Sequence, residues 1–227
     1  MPDPLRGARS SGAIDDGIET YVPLAPVVQV DHILRIQGYS DPVRVRPAIR
    51  HSAVSMAALA TELSSPQVAW RRMPIHSLRG DVLELDGGVR FHCDAFARIL
   101  KGCTEVALVV LTIGPRLDAR VAELAKAGEL LDALLLESAG WLSIEDATRQ
   151  FRAMLRKQVN VSGRRITSRM GPGYSYKLDT RRCTWPLDEQ IRLFGLLDGA
   201  TLPVTVIESC AMQPKMSRSG LYGIAPL

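Results

Sequence analysis

The feature that most constrains the fold is an uninterrupted apolar run, TEVALVVLTIG, at residues 104–114. Its valine, leucine and isoleucine residues leave it without a polar face, which is typical of a strand buried in the centre of a sheet. Gly114 marks the end of this predicted strand. The rest of the chain is therefore expected to supply neighbouring strands and the helices that pack on the sheet.

The remaining segments contain both kinds of element. Apolar residues recur at helical spacing in five segments, which predicts helices at 28–37, 47–63, 116–127, about 129–158 and 187–199. Further strands are predicted at 68–75, 81–91 (with a turn at Gly87-Gly88), 164–170, 204–209 and 220–225. No regular βαβ rhythm connects them. We therefore predict an α+β fold, a single domain with a mainly antiparallel twisted sheet, packed helices and one long helix at about 129–158. Residues 1–26, rich in Gly, Ser, Pro and Asp, are predicted to form a flexible or wrapping arm before a domain at 27–227.

Composition narrows the functional classes. The 227 residues carry a net charge of +4, with 23 Arg, 5 Lys and 24 acidic residues interleaved rather than in blocks, so nucleic-acid binding is weakly supported. No apolar run approaches the roughly 20 residues of a membrane span, and residues 1–20 lack the apolar core of a signal peptide, so a cytoplasmic protein is expected. The four cysteines form no C-x-x-C pair and the four histidines are isolated, so no metal site or nucleophile triad is predicted.

The segment RMGPGYSYKLDTRRCTWPLDEQ, residues 169–190, combines a Gly-Pro-Gly turn with planar side chains of arginine and tyrosine that can donate hydrogen bonds. Arg169 precedes the turn, and an arginine there can clamp a carboxylate with two parallel hydrogen bonds. Gly171 and Gly173 allow a ligand to approach the backbone closely, and the ring of Tyr174 can cover a flat base or a sulfonium. The alternative is a plain turn with a surface arginine.

Two further segments bear on this one. ESCAMQPKMSRSGLYGI, residues 208–224, gathers hydroxyl groups and Tyr222 around a proline loop, either as a ligand site or as a polar hairpin. Glu145 falls at the edge of the apolar stripe of the long helix, where it can face a site or form an exposed i,i+4 pair with Arg149.

Together these residues resemble the activation (S-adenosylmethionine-binding) domain of vitamin B12-dependent methionine synthase, here as a stand-alone protein. The resemblance rests on Arg169-x-x-x-Gly173-Tyr174 and on Glu208-Ser209-x-Ala211-Met212-x-Pro214-x-x-Ser217-x-Ser219-Gly220-Leu221-Tyr222, in this order. It covers roughly residues 28–226. Between Tyr174 and Pro186 the sequence SYKLDTRRCTW looks like an insertion relative to the family, either altering the ligand pocket or docking an acidic partner.

The resemblance implies a function in the methionine synthase system. It implies S-adenosylmethionine as methyl donor, bound by Arg169 (methionine carboxylate), Gly171, Gly173, Tyr174, Tyr222 and Glu145. Cobalamin would be supplied by a partner protein, since the chain has no D-x-H-x-x-G signature, and a flavodoxin- or ferredoxin-type protein would donate the electron. The chain would then be a component of a methyltransferase system that regenerates methylcobalamin, without catalytic side chains or metal ligands of its own.

Two alternatives stay open on the sequence. The same module can serve another corrinoid methyltransferase, of the O-demethylase type. It can also be a non-catalytic scaffold that kept the fold and lost the ligand.

Overall fold

The computed structural model describes residues 17–227, so the first 16 residues of the predicted arm lie outside the described part of the chain. The strands are β1 Ile18–Tyr21, β2 Gln67–Arg79, β3 Val82–Leu85, β4 Arg90–His92, β5 Glu105–Thr112, β6 Arg164–Ile166, β7 Ser175–Leu178, β8 Arg181–Thr184, β9 Thr205–Val206, β10 Met212–Gln213 and β11 Ser217–Pro226. The helices are α1 Val30–Ile36, α2 Pro47–Leu63, α3 Phe96–Ile99, α4 Arg116–Lys126, α5 Leu130–Asn160 and α6 Glu189–Gly195, with a short 3-10 helix at Pro42–Arg44. This is the predicted α+β class.

Seven of these strands form one antiparallel sheet in the order β4-β3-β2-β5-β11-β6, with β1 pairing to β2 beside this path. The predicted central strand is confirmed as β5, which is hydrogen-bonded to β2 on one edge and to β11 on the other. Its alternate side chains enter two separate cores: Val106, Leu108 and Val110 on one face, and Ala107, Val109 and Leu111 on the other. Both faces are covered, which explains why this strand has no polar side.

Helices α1, α2, α4 and α5 cover one face of the sheet. The long helix α5 is confirmed, two residues longer at its C-terminal end than predicted, and its Phe151 packs edge-on against Trp70 of β2 at 5.9 Å between ring centroids. Short helices α3 and α6 and the β7–β8 segment cover the opposite face. There Trp185 lies edge-on to Phe91 and Phe96 at 5.6 and 5.1 Å. Among the helices of residues 17–227, none has the length and apolarity needed to cross a membrane.

The structure differs from the sequence-based prediction in several places. The strand predicted at 164–170 ends at Ile166, and Met170 forms only an isolated bridge with Leu221. Part of the predicted arm is a strand, since β1 pairs with Val68–Arg71 of β2. The predicted strand at 204–209 shortens to β9, because the chain turns at Ile207, whose amide donates to the Ala211 carbonyl at 2.9 Å. Residues 175–184, read as part of a loop, form the hairpin β7–β8.

Candidate functional site

The Gly-Pro-Gly loop is attached to the sheet through a two-hydrogen-bond bridge between Met170 and Leu221. The Met170 amide donates to the Leu221 carbonyl at 2.8 Å, and the Leu221 amide donates back at 2.7 Å. Gly220 makes this approach feasible, because a Cβ at that position would lie 2.0 Å from the Met170 carbonyl oxygen. The bridge places Arg169 directly over strand β11.

The side chain of Arg169 is held by two neighbours. Its Nη1 donates to the Ser219 carbonyl, and its guanidinium lies over the Tyr174 ring, 4.5 Å from the centroid. Gly171 is required beneath it, since a Cβ there would lie 2.7 Å from Nη1 and 2.9 Å from the Ser219 oxygen. The predicted motif therefore forms a cation–π pair on a glycine-lined turn. Its remaining guanidinium donors are available for a ligand.

Sequence reasoning missed a brace on this turn. The hydroxyl of Tyr176, from the β7–β8 hairpin, accepts a hydrogen bond from the Gly171 amide at 2.7 Å and lies 3.2 Å from the Gly171 carbonyl. Burial raises the pKa of Tyr176 to about 12. The phenol is thus neutral at physiological pH and remains able to donate to the carbonyl. The hairpin, which looks like an insertion in the sequence, fixes the loop that carries Arg169.

A cavity of about 350 Å³ opens beside this loop, between helix α5 and strand β11. Its lining residues are Glu145, Thr148, Arg149, Arg152, Ser168, Arg169, Arg218 and Tyr222. Three of the predicted site residues, Glu145, Arg169 and Tyr222, therefore meet at one cavity although they come from three separate segments. Gly171, Gly173 and Tyr174 shape the adjoining turn without lining it, and Gly173 adopts a left-handed φ of 81°.

Glu145 is paired, but with a residue that the sequence did not suggest. Its carboxylate accepts from Arg218 Nη2 at 2.6 Å, whereas Arg149 pairs with Asp146. The hydrogen bond from Arg218 is the main cause that holds the pKa of Glu145 below its ordinary value, with the charge of Arg169 contributing. The expected i,i+4 pair with Arg149 is therefore not formed, and Glu145 stays ionised at the cavity rim.

Tyr222 is almost wholly buried, with 1% of its surface exposed. Its ring packs at 6.0 Å from Phe151 of helix α5, and burial raises the pKa of its phenol, while the charges of Arg169, Arg152 and Arg218 lower it. The phenol is therefore a neutral hydrogen-bonding group set among three guanidinium groups.

Two of the four hydroxyl groups in the second motif, those of Ser217 and Ser219, have structural partners. Ser217 Oγ donates to Thr112 Oγ1 at 2.9 Å, and Ser219 Oγ donates to Gln190 Oε1 at 2.8 Å. Glu208 and Ser209 lie in the exposed turn between β9 and β10. The polar-hairpin interpretation therefore describes the beginning of this motif, and the site interpretation concerns its end, at Arg218 and Tyr222.

Two residues that line the cavity, Arg152 and Arg218, were not predicted from the sequence, although their spacing from predicted site residues could have indicated them. Arg152 is seven residues after Glu145 on helix α5, so the two share one helical face. Arg218 is four residues before Tyr222 on strand β11, so the two share one strand face. Within residues 17–227, no group of three His, Cys, Asp or Glu side chains is arranged to hold a metal ion.

Comparison with known proteins defines the class of fold. No family model and no curated protein matches the sequence. Thirteen chains of solved structures match the structure, and the fold is similar to that of the MetH reactivation domain. The particular structure compared is the MetH reactivation domain bound to AdoHcy, with a TM-score of 0.61 and 14% sequence identity, covering 91% of this chain and 78% of that chain.

Proposed function

We propose that the cavity binds S-adenosylmethionine, and that the chain supplies this methyl donor for the reductive reactivation of cobalamin on a partner protein. The observation that carries the proposal is the convergence of Arg169, Tyr222 and Glu145 on one cavity, in a fold that in the MetH reactivation domain accompanies bound AdoHcy. A cavity of about 350 Å³ is within the size range of small-molecule sites.

The residues fit the ligand in stated roles. Arg169 is fixed by stacking on Tyr174 and by its bond to the Ser219 carbonyl, so its outward donors can grip the methionine carboxylate with little loss of side-chain entropy. Glu145 is ionised and half-exposed at the rim of the cavity, where its carboxylate can accept a hydrogen bond from the ammonium group of the ligand. Tyr222 offers a neutral phenol as a hydrogen-bonding partner.

The sulfonium of S-adenosylmethionine supplies an activated methyl group when it is bound. The protein's own work is then positioning and exclusion of water, which accounts for a site without paired carboxylates or a nucleophile. Cobalamin would be held by the partner, and a flavodoxin- or ferredoxin-type protein would supply the electron. We favour a split methionine synthase as the system; an O-demethylase-type corrinoid methyltransferase would use the same module with another partner.

The test is calorimetric titration of S-adenosylmethionine into the protein, its Arg169→Ala variant and an Arg35→Ala control, an exposed arginine that does not line the cavity. Loss of a charged bidentate contact should weaken binding by roughly 1.5–3 kcal/mol, about tenfold or more, while the control binds as the wild type does. Far-UV circular dichroism of each variant checks that it is folded.

Equal affinity of the Arg169→Ala variant and the wild type would overturn the assignment of the carboxylate. Absence of binding by the wild type, both alone and with a cobalamin-domain protein added, would leave only the scaffold interpretation. Binding that appears only with that protein present would mean that the partner completes the site.

A further inference from the structure

The cavity carries more positive charge than a single ligand carboxylate can neutralise. Four arginines line it, Arg149, Arg152, Arg169 and Arg218, against one acid, Glu145. The carboxylate of Asp146, next to the cavity, offsets Arg149. An excess of guanidinium groups remains around a space of about 350 Å³.

The side chain of Arg218 is largely enclosed. Only 11% of its side chain is exposed, and its Nε is buried without a hydrogen-bond partner among residues 17–227. Glu145 is the one acid that pairs with it there, through Nη2, and 58% of the Glu145 side chain faces solvent. A buried guanidinium with a single, mostly solvated counterion is incompletely compensated, so an additional anion nearby would be bound favourably.

Arg152 strengthens the argument because its charge is uncompensated. Within residues 17–227 its side chain forms no ion pair and no hydrogen bond, although it lines the cavity with Arg218 and Tyr222. Arg152, Arg169, Arg218 and Tyr222 line the same cavity, so the three guanidinium groups and the phenol face one space.

S-adenosylmethionine alone does not match this charge. It has one carboxylate, which the proposed function assigns to Arg169, and it also carries an ammonium and a sulfonium group. Arg152 would therefore face a cationic ligand without a counterion, and Arg218 would face it with only the mostly solvated Glu145. Around the enclosed Arg218 such repulsion is weakly screened, so the arrangement calls for a second anionic group.

We propose that Arg152 and Arg218, with the Tyr222 hydroxyl as an additional donor, form a binding site for a phosphate-type dianion next to the Arg169 position. A phosphate group fits better than a second carboxylate, because its double charge and three terminal oxygens match two planar guanidinium forks and a phenol. The site itself stands on the cavity geometry, whereas the role of Arg169 and the charge mismatch with S-adenosylmethionine rest on the proposed function.

The direct test is titration of inorganic phosphate into the full chain at low ionic strength and neutral pH, followed by calorimetry. We compare the wild type with Arg152→Ala, Arg218→Gln and the Arg35→Ala control. The wild type should bind one phosphate saturably, and each cavity substitution should weaken binding about tenfold while the control has no effect. Arg152 is exposed and without a protein partner, so its substitution tests the site even if the Arg218 variant is unstable.

Absence of saturable binding, or an equal loss in the Arg35→Ala control, would overturn the site and indicate general attraction to a basic protein. Repeating the S-adenosylmethionine titration with saturating phosphate identifies the source of the dianion. Stronger binding would mean a separate phosphate group, such as one on a partner-bound molecule, whereas competition would mean that the natural ligand itself is phosphorylated. Phosphate binding without S-adenosylmethionine binding would leave this site intact and refute the proposed function.

Discussion

Substitution of Gly220 by alanine is the most direct test of how the site is built. Gly220 has a φ of 148°, and a Cβ there would lie 2.0 Å from the Met170 carbonyl oxygen and 3.1 Å from Arg169 Nη1. The first contact is with backbone that cannot move aside as a flexible side chain does. The bridge between Met170 and Leu221 must therefore open, and Arg169 must move with it.

The expected cost can be worked out from these contacts. Strain at an unfavourable φ amounts to about 1–3 kcal/mol, and opening the bridge removes two backbone hydrogen bonds of about 1 kcal/mol each. The total of about 3–5 kcal/mol is a large part of the stability of an ordinary domain, about 5–15 kcal/mol. Gly128→Ala is the matched control, because Gly128 also has a positive φ, 80°, but a Cβ there would meet nothing within 4 Å.

Urea denaturation followed by circular dichroism measures both variants against the wild type. The Gly220 variant should lose at least about 2 kcal/mol more than the Gly128 variant, with an unchanged dependence on urea concentration. Equal losses in the two variants would refute the steric argument, because only backbone strain would then matter. Where the Gly220 variant is still folded, its affinity for S-adenosylmethionine should fall as in Arg169→Ala.

Two further predictions concern carboxylates. The carboxylate of Glu189 is 5% exposed and accepts hydrogen bonds from the His92 amide at 2.9 Å and from Trp185 Nε1 at 2.6 Å. Its replacement in Glu189→Ala should therefore lower the free energy of unfolding, measured by urea denaturation, by about 3 kcal/mol. A loss of less than about 1 kcal/mol would contradict this prediction. The hydrogen bond from Arg218 lowers the pKa of Glu145, so this pair stabilises the protein fully above a pH of about 4.5, its ordinary pKa, and progressively less as pH falls through the lowered pKa. The difference in stability between wild type and Glu145→Gln should therefore shrink in acid, and a difference constant down to about pH 3 would refute it.

The parts of the fold that the sequence predicts well are those set by continuous patterns. Residues 104–114 have no polar face, which predicts a central strand in a sheet whose two faces are both covered. In the structure β5 lies between β2 and β11, and both faces of the sheet are covered there. The helical stripe after Gly128 similarly predicts α5 to within two residues at its C-terminal end. Both patterns report burial, and burial is decided mainly by side-chain hydrophobicity.

The parts that the sequence predicts poorly depend on partners far along the chain. Strand β1 contains few apolar residues, and it is ordered by pairing with β2 some 50 residues later in the chain. The pairing of Glu145 with Arg218 rather than with Arg149 likewise joins helix α5 to strand β11. Helical spacing limits which side chains of one helix can form an ion pair, but it contains no information about an arginine on another strand or helix.

The role of residues 175–185 also depends on contacts with other parts of the chain, which the sequence does not show. In the sequence, residues 175–185 lie between Tyr174 and Pro186, and two roles are open for them, a change in the ligand pocket or a contact with an acidic partner. In the structure, Tyr176 of this hairpin hydrogen-bonds Gly171, and Tyr174, just before it, carries the Arg169 guanidinium. The hairpin therefore supports the loop that carries Arg169. An arginine held in place in this way would lose less entropy on binding the proposed ligand carboxylate, so the hairpin would contribute to affinity without contacting the ligand.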